Sequence, residues 1–465
     1  MSTSIGLKDL GKIIISSKSG LIGLLILLTV LGISIFALIY FPFNVVAKWN
    51  EPTFWQDNPR VAAPQWFSQL IGRNLPQTIY ITPQDFSKYE YGVTGLKYVI
   101  LESRIKYDYD DFPSELFAVI YANFSGNNPM ATVKIIRPDG LEVVVFHNVL
   151  KSDMNFLFIS SDISIKETVK NSLAGLGLVA NGTGTIYPEI CIFAVNNENM
   201  FTYGQANVLK GTYKVRIELI FSNINDTADA KFTIYGKVYG MAGTDNLRRD
   251  LFIGIVWGAP VALAFGLSAA VATSIIQSLI GALSAWYGGL VDEIIQRITE
   301  VYMILPFLPF LIMISLFYKV NLWLLVVLII VLSIFGGITK TARSVTFQII
   351  SEQYIESAIS YGASKLRILF LYIMPRLLPY MVANIVLNVP AFVFLEAALS
   401  ILGLGDPMMP TWGKIISDAY SNGAIIHGYW WWILIPAFLI IVTASAFALI
   451  GYALDKFVNP RLRER

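Results

Sequence analysis

Long apolar runs constrain this chain more than any other feature of its sequence. A helix needs about 20 apolar residues to cross the hydrocarbon core of a bilayer. The runs predict six such helices, at residues 20–41, 256–286, 301–318, 322–338, 377–402 and 429–454. The composition agrees, because 55% of the residues are hydrophobic and the mean hydropathy is +0.60. We therefore predict an α-helical polytopic membrane protein, whose first span stays uncleaved because its apolar run is longer than that of a usual signal peptide.

Charge and cysteine content exclude several classes of function. A net charge of +2, without a long basic run, gives no reason to expect nucleic acid as a partner. Cys191 is the only cysteine, which rules out an intrachain disulfide and a cysteine-based zinc site. His147 and His427 are the only histidines, and they lie far apart in the sequence. We therefore expect no metal site and no cofactor in this chain.

Basic residues near the ends of the spans predict the orientation, because Lys and Arg stay in cytoplasmic loops. If six spans alternate, one side receives Lys8, Lys12, Lys18, Arg297, Lys340, Arg343, Lys365, Arg367, Arg376, Lys456, Arg461, Arg463 and Arg465. The opposite short loops carry little beyond Lys319 and Lys414. Both termini, including an N-terminal arm at residues 1–19, are therefore predicted in the cytoplasm of a multi-pass plasma-membrane protein.

Residues 42–242, between the first two spans, have the pattern of a separate extracellular domain. In "TYKVRIELIF", Val215, Ile217 and Leu219 alternate with polar residues at the period of two that is typical of a half-buried strand. The stretch "ATVKIIRPDGLEVVVF" predicts two strands joined by a turn, and "KFTIYGKVYG" predicts another strand. These patterns favour a β-sandwich.

The role of this domain is open between two interpretations. It is either a rigid cover or spacer, or a docking surface for a partner that captures the substrate, and we favour the docking surface. Three sequons are candidate glycosylation sites on it, at Asn123, Asn181 and Asn225.

A polar, helix-prone stretch lies between two apolar runs on the predicted cytoplasmic side. It reads "EQYIESAISYGASKLRILFLYIMP" and occupies residues 352–375. Ile355, Ala358 and Ile359 share one face of a predicted helix. The stretch is therefore expected to form an amphipathic helix at the membrane surface.

Three residues predict where the helices of this stretch begin and end. Gly362 is a natural C-terminal stop, and Ser364 can cap a second helix. Pro375 is predicted to end that second helix before the fifth span. Two short helices that meet at a glycine would form a rigid knob for a partner, and the alternative is an ordinary pair of interfacial helices.

This stretch resembles the EAA loop of ABC importer permeases, the cytoplasmic coupling element that sits in a groove of the ATPase subunit. The matching residues, in a loop at 342–376, are Glu356, Ser357, Ala358, Gly362, Ala363, Ser364 and Pro375. Further stretches at 243–252, 285–306, 395–416 and 459–463 match the same group. Residues 243–465 are thus similar to the second permease subunit of the dipeptide/oligopeptide class, to which the extracellular domain is an addition.

The chain departs from the family pattern at three positions. Ser357 stands where the loop usually has Ala, and Met374 stands where it usually has Leu. Arg248 stands where the group usually has Gly, and it adds a positive charge at the outer boundary of the membrane.

The resemblance implies a non-catalytic permease subunit that forms half of a translocation pathway for oligopeptides. The implied partners are a second homologous permease, two ABC ATPase subunits that bind ATP and Mg, and an external substrate-binding protein. The sequence agrees, because it contains no G-x-x-x-x-G-K-[S/T] motif of its own. Oligosaccharides or nickel are the alternative cargoes.

Two other classes of protein are remote alternatives. An ion-coupled secondary transporter needs ionisable residues within its spans, yet Glu396 is nearly alone there. A membrane-anchored receptor needs only one or two spans, and it gives no reason for the knob.

Polar residues on the fifth predicted span are candidates for the translocation pathway. Asn384, Asn388, Phe392 and Glu396 recur every four residues, which places them on one slowly drifting stripe of a helix. Polar groups at membrane depth normally face protein or water rather than lipid. The alternatives are hydrogen bonds between helices and, for Glu396, a place near the outer boundary where it orients the loop at 403–407.

Overall fold

The computed structural model describes residues 7–93, 95–178, 186–197, 199–202, 204–318 and 321–458. These residues form two compact units. A helical unit contains the chain up to Asn50 and from Ile253 onward, and a β domain contains Glu51–Phe252. The ends of the β domain differ from the predicted 42–242, because residues 42–50 group with the helices and residues 243–252 group with the strands.

The described residues contain helices of very different lengths. In chain order they are α1 (Leu7–Ser16), α2 (Lys18–Tyr40), α3 (Phe43–Ala47), α4 (Trp66–Ile71), α5 (Ile163–Gly175), α6 (Pro188–Cys191), α7 (Leu251–Tyr287), α8 (Gly289–Ile304), α9 (Phe307–Phe317), α10 (Leu322–Leu332), α11 (Gly337–Ile350), α12 (Gln353–Ser360), α13 (Lys365–Ile368), α14 (Met374–Ile401), α15 (Trp412–Ser421), α16 (Ala424–His427) and α17 (Trp430–Val458). A π-helical turn, Leu369–Ile373, connects α13 to α14.

The β domain is built from two antiparallel sheets. Its strands are β1 (Ile79–Ile81), β2 (Ser87–Val93), β3 (Leu96–Tyr107), β4 (Glu115–Asn123), β5 (Met130–Ile136), β6 (Glu142–Val149), β7 (Met154–Phe158), β8 (Gly211–Phe221) and β9 (Thr227–Tyr235). One sheet has the order β1-β9-β4-β7 and the other has the order β2-β3-β8-β5-β6. β5 and β6 form the hairpin that the Pro-Asp-Gly turn predicts, and Gly140 has a φ of +85° in that turn.

Both sheets contribute side chains to one hydrophobic core. In β8, Val215, Ile217 and Leu219 are buried, while the polar residues between them are partly exposed. From the other sheet, β9 adds Phe232 and Ile234 to the same core. Each of these strands hides one face, which is the physical cause of the period of two in the sequence. Helix α5 also packs in this core, and the strand patterns do not predict it.

The helical unit contains several helices that are suited to a membrane. Within the described residues, four segments are long and apolar enough to cross a bilayer, or up to six if each of two bent helix pairs is one span. The four segments are Lys18–Tyr40, Leu251–Tyr287, Lys365–Ile401 and Trp430–Leu454. The chain is therefore a multi-pass helical membrane protein with an inserted β domain.

The third and fourth predicted spans differ from the structure, because each corresponds to two bent helices. A 74° bend separates α8 from α9, and Pro306, which cannot continue the backbone hydrogen bonds of α8, lies in the break. A 52° bend separates α10 from α11, where Gly336 has an extended backbone. The Nε2 of Gln277 donates to the carbonyl oxygen of Ser333 in this second break (2.5 Å).

Glycines permit close contacts between helices of the helical unit. A Cβ atom on Gly23 of α2 would lie 2.7 Å from the carbonyl oxygen of Ala446 on α17. A Cβ atom on Gly266 of α7 would lie 2.8 Å from Cγ2 of Val393 on α14. Small residues at such crossings are typical of membrane helix packing. The second contact holds α14, which continues the loop described next, against α7.

Candidate functional site: the coupling loop

The coupling loop, residues 342–376, contains a sharp turn at Gly362. This residue has a φ of +78°, which residues with a Cβ atom rarely adopt. The N–H of Gly362 donates to the carbonyl oxygen of Ile359 (2.9 Å), and the N–H of Ala363 donates to that of Ala358 (3.1 Å). These bonds satisfy the last carbonyl groups of α12, as expected where a helix ends at glycine.

Helix α13 begins at a polar cap two residues after this glycine. The hydroxyl oxygen of Ser364 accepts a hydrogen bond from the N–H of Arg367 (3.3 Å). Serine is among the preferred residues at this position, because its side chain satisfies an N–H that the first turn leaves unpaired. Gly362 and Ser364 thus lie where the sequence predicts a helix end and a helix start.

Pro375 does not end a helix, so that prediction is wrong. Helix α13 continues through the π-helical turn into α14, and Lys365–Ile401 forms one apolar segment. Proline normally breaks a helix because it lacks an N–H and its ring presses on the carbonyl four residues earlier. Here Pro375 is the second residue of α14, separated by one residue from the wider π-helical turn, a position where a proline is tolerated. The coupling loop is therefore continuous with α14.

The inner face of the coupling loop is buried in the helical unit. Ile355, Ala358 and Ile368 share one hydrophobic core with Ala282 of α7 and Leu377 of α14. The knob is therefore packed against two long helices rather than extended into solvent.

The outer face of the coupling loop is polar and accessible. Glu356, Ser357 and Ser364 are exposed, and Tyr361 is 92% exposed. Ile359, which was predicted to share a helix face with Ile355 and Ala358, is 52% exposed, because the buried stripe is centred between those two residues. Among the residues that the structure describes, the carboxylate of Glu356 has no hydrogen-bond or ion-pair partner.

Aromatic residues hold the coupling loop in place, and the sequence analysis did not identify them. The Nε1–H of Trp286 donates to the carbonyl oxygen of Lys365 (3.0 Å). The ammonium group of Lys365 lies 5.3 Å from the ring centroid of Tyr287, and the guanidinium of Arg376 lies 5.2 Å from that of Tyr354. The Trp-Tyr pair at the end of the second apolar run was the available signal.

An ion pair between the start of the loop and α8 was also missed. The guanidinium of Arg343 on α11 donates to both carboxylate oxygens of Asp292 on α8 (2.6 and 2.5 Å). The hydroxyl of Ser284 donates to the same carboxylate (2.5 Å). Paired Arg-carboxylate contacts of this kind fix geometry as well as charge. Both residues are charges near the end of an apolar run, and that position was the signal.

The predicted pathway residues lie in different surroundings. Asn384 and Asn388 are partly exposed, and each side-chain amide donates to the carbonyl oxygen four residues earlier on α14 (2.8 Å). Phe392 is partly buried and packs against two of the hydrophobic clusters of the helical unit. Glu396 is buried and accepts a hydrogen bond from the hydroxyl of Ser400 (2.8 Å). The four residues therefore do not form one exposed stripe in this chain.

The surroundings of Glu396 connect it to the loop that follows α14. The hydroxyl of Thr411, which caps α15, lies close to the carboxyl group of Glu396. In the same loop, one carboxylate oxygen of Asp406 accepts from the N–H of Leu322 (3.0 Å) and the other accepts from the N–H of Met408 (2.8 Å). The carboxylate of Asp406 thus ties this loop to the start of α10, and Glu396 lies beside the same loop.

Two of the three predicted glycosylation sites lie on the surface of the β domain. Asn123 ends β4, Asn225 lies in the turn between β8 and β9, and both are exposed. Asn181 lies outside the described residues. The hydroxyl of Ser125, in the first sequon, donates to the carboxylate of Asp226 (3.1 Å).

Arg248 replaces a glycine of the family pattern and adopts the backbone conformation that explains that glycine. Its φ is +67°, in the left-handed region that glycine favours. Its guanidinium donates to the carbonyl oxygen of Asn58 (2.8 Å), forms an ion pair with Glu115 and lies 4.3 Å from the ring centroid of Tyr235. Within the β domain, these contacts compensate for the strained backbone.

Comparisons with known proteins decide the family. Residues 277–464 match the family model described as "Binding-protein-dependent transport system inner membrane component". The dipeptide transport system permease protein DppC of Bacillus subtilis is 31% identical over 250 residues, which are 54% of this chain and 74% of that relative. The chain belongs to this family of transport permeases.

Other relatives agree with this assignment. The oligopeptide transport system permease protein OppC of Bacillus subtilis is 32% identical over 225 residues, which are 48% of this chain and 72% of the relative. The glutathione transport system permease protein GsiD of Pectobacterium atrosepticum is 31% identical over 222 residues, again 48% and 72%. The resemblance to peptide-class permeases is thereby confirmed, and the coupling loop lies within the matched part of this permease.

Proposed function

We propose that this permease carries oligopeptides, as the membrane subunit of an ATP-driven importer that receives them from an external binding protein. Peptides are favoured because the named relatives are permeases for dipeptides, oligopeptides and glutathione, which is a tripeptide. The permease supplies the path for the peptide, and a separate subunit supplies the ATP chemistry.

The construction of the coupling loop is the observation that carries this proposal. Its inner face is buried against α7 and α14, while Glu356, Ser357 and Tyr361 are exposed on the outside. A partner that binds the exposed face therefore moves α14 together with the loop. When two ATPase subunits close on ATP, this movement shifts the permease from one access state to the other.

The proposed assembly contains two permeases and two ATPase subunits, with ATP and Mg bound by the ATPases. The second permease is a homologue that supplies the other half of the translocation path. Large exposed apolar side chains on the helices, such as Leu434 and Phe438 on α17, support a surface that faces lipid or such a partner.

The proposed topology has six spans, with both termini in the cytoplasm and the β domain outside the plasma membrane. The two bent helix pairs supply the third and fourth spans. Basic residues support this orientation, since Lys340, Arg343, Lys365 and Arg367 lie on or beside the coupling loop. The two sheets of the β domain form a β-sandwich, and Asn123 and Asn225 are its proposed glycosylation sites.

The proposed pathway involves Asn384 and Asn388, because both are partly exposed on α14. Phe392 lies further along the same helix and shapes the path by packing between its neighbours. We leave Glu396 out of the proposed path, since its carboxyl group is buried and bonded to Ser400 of the same helix.

Single-cysteine crosslinking tests the coupling role. Burial raises the pKa of the Cys191 thiol to about 11, so the native cysteine stays unreactive. Ser357→Cys places a thiol on the outer face of the coupling loop, and in the assembled importer we expect it to crosslink to the ATP-hydrolysing subunit. Ser421→Cys, on the exposed end of α15, is the matched control and should not crosslink to that subunit.

The same two variants test the orientation. A membrane-impermeant maleimide added to intact cells should label Ser421→Cys and should not label Ser357→Cys. The coupling proposal fails if Ser357→Cys crosslinks to no ATP-hydrolysing protein or reacts from outside.

The cargo is tested separately, by uptake of a labelled tripeptide and a labelled disaccharide into vesicles that contain the whole importer. Uptake of the sugar alone would contradict the peptide assignment.

A further inference from the structure

A cavity in the β domain is not used by the coupling mechanism. Its volume is about 470 Å³, which lies within the range of about 300–1,000 Å³ that is usual for small-molecule sites. Its wall carries both signs of charge, with Arg73 and Lys237 positive and Asp110, Asp111 and Glu189 negative. Such a wall is suited to a polar ligand that itself carries both charges.

Two of the acidic groups are already neutralised by lysines. Asp110 pairs with Lys210 (2.6 Å), and Asp111 pairs with Lys237 (2.9 Å). In the described part of the chain, neither Arg73 nor Glu189 has a salt-bridge partner. The cavity therefore has one positive and one negative group that a ligand can engage.

One carboxylate oxygen of Glu189 lacks a hydrogen-bond donor. Its Oε2 atom is shielded from solvent and, within the described residues, accepts no hydrogen bond. Burial raises the pKa of this carboxyl group, because the charged form is poorly solvated there. Part of the Glu189 side chain is accessible, and an ammonium group that pairs with this carboxylate from the cavity would offset the cost of its poor solvation.

We propose that this cavity binds a short peptide with free termini, whose ammonium group meets Glu189 and whose carboxylate meets Arg73. The choice of a peptide among zwitterions rests on the proposed function. The β domain would then bind the cargo that the helical unit of the same chain transports.

Calorimetric titration of the full chain in lipid nanodiscs tests this site with trialanine and two blocked forms. N-acetyl-trialanine lacks the ammonium group, and trialanine amide lacks the carboxylate. We expect each block to weaken binding to the wild-type chain at least tenfold. In Glu189→Gln, acetylation should make no further difference while amidation still weakens binding; in Arg73→Gln, the pattern should reverse.

Glu167→Gln is the matched control, because Glu167 is exposed on α5 and does not line the cavity. Like the wild type, Glu167→Gln should bind both blocked peptides more weakly than free trialanine. Equal binding of free and blocked peptides, or unchanged discrimination in both cavity variants, would overturn the proposal. If the importer carries tripeptides while the chain binds free and blocked peptides equally, only the cavity assignment fails. If the importer carries only sugars, the proposed function fails, and the titration still tests the cavity on its own.

Discussion

The β domain and the helical unit bury their apolar residues in different ways. In the β domain, strands hide one face in a shared core, and side chains such as Ile217 and Phe232 are fully buried. In the helical unit, Ile39 of α2 is 71% exposed and Phe438 of α17 is 63% exposed. The sheets close their own core, whereas the helices leave apolar surface for lipid or a second subunit.

This difference separates the part of the chain that transports from the part that was added. The family match, residues 277–464, lies entirely in the helical unit. In the proposed assembly the permease forms half of a path, and it must then leave apolar surface open to its partners. The β domain has no such requirement, so the two regions should respond differently to the same substitution.

The largest expected difference comes from removing one phenylalanine in each region. Phe232→Ala deletes a fully buried ring of β9 and should lower the free energy of unfolding of the β domain by about 3–5 kcal/mol. Phe438→Ala removes an exposed ring of α17 and should change stability by about 0.5 kcal/mol or less. Urea dependence of proteolysis within the β domain measures the first, and thermal aggregation of the full chain in detergent compares both. Equal costs would contradict the comparison.

A smaller effect is expected from the titration of Asp250, next to the start of α7. Burial raises its pKa from 3.8 to about 6. Because the folded chain binds the proton more tightly, this group destabilises the fold progressively as the pH rises from about 4 to 6, and its full penalty persists above that. Asp250→Asn keeps an acceptor for the N–H of Phe252 and removes the charge.

The variant should therefore be more stable than the wild type at pH 7, by up to about 3 kcal/mol. At pH 4 the two chains should differ little. Thermal unfolding at both pH values measures this, and an advantage of equal size at both would rule out the carboxylate as its cause.

Arg248 sharpens the comparison at the end of the β domain. Arg248→Ala loses the contacts with Asn58, Glu115 and Tyr235 and keeps the left-handed backbone, so it should cost about 2 kcal/mol. Arg248→Gly loses the same contacts without the strain and should cost about 1 kcal/mol. Denaturation midpoints of the β domain in the three chains give the order, and equal values for Ala and Gly would show that the strain is negligible.

The smallest expected effect lies in the coupling loop. Gly362→Ala should cost about 1 kcal/mol locally, because its φ is positive although a Cβ atom would meet nothing within 4 Å. Gly337→Ala is the matched control, since a Cβ atom there is equally free and the φ is not positive. The rate of substrate-stimulated ATP hydrolysis by the assembled importer should fall up to about fivefold in the first variant and stay unchanged in the second. Equal rates in both would mean that the turn at Gly362 tolerates a side chain.

Local chemistry made part of this molecule predictable from its sequence. Gly362 and Ser364 act through their own backbone neighbours, and the alternation around Ile217 reflects a strand with one buried face. The family resemblance then gave the proposed function of the coupling loop. These features depend on residues that are close in the sequence.

Tertiary contacts made other features unpredictable. The ion pair between Asp292 and Arg343 joins residues 51 positions apart, and the effect of Pro375 depends on the wider turn before it. At the break near Gly336, Gln277 of α7 donates a hydrogen bond to the carbonyl oxygen of Ser333. Span counting by apolar length cannot register such bends, because it treats each run as straight.

The uninterrupted segment from Lys365 to Ile401 has a geometric consequence. Its 37 residues form a rod of about 55 Å at the usual helical rise. Without a joint at Pro375, a tilt of about 5° applied at the Lys365 end displaces the Ile401 end by roughly 5 Å over that length. The length of this helix thus converts a small change of angle into a displacement of several ångströms at its far end.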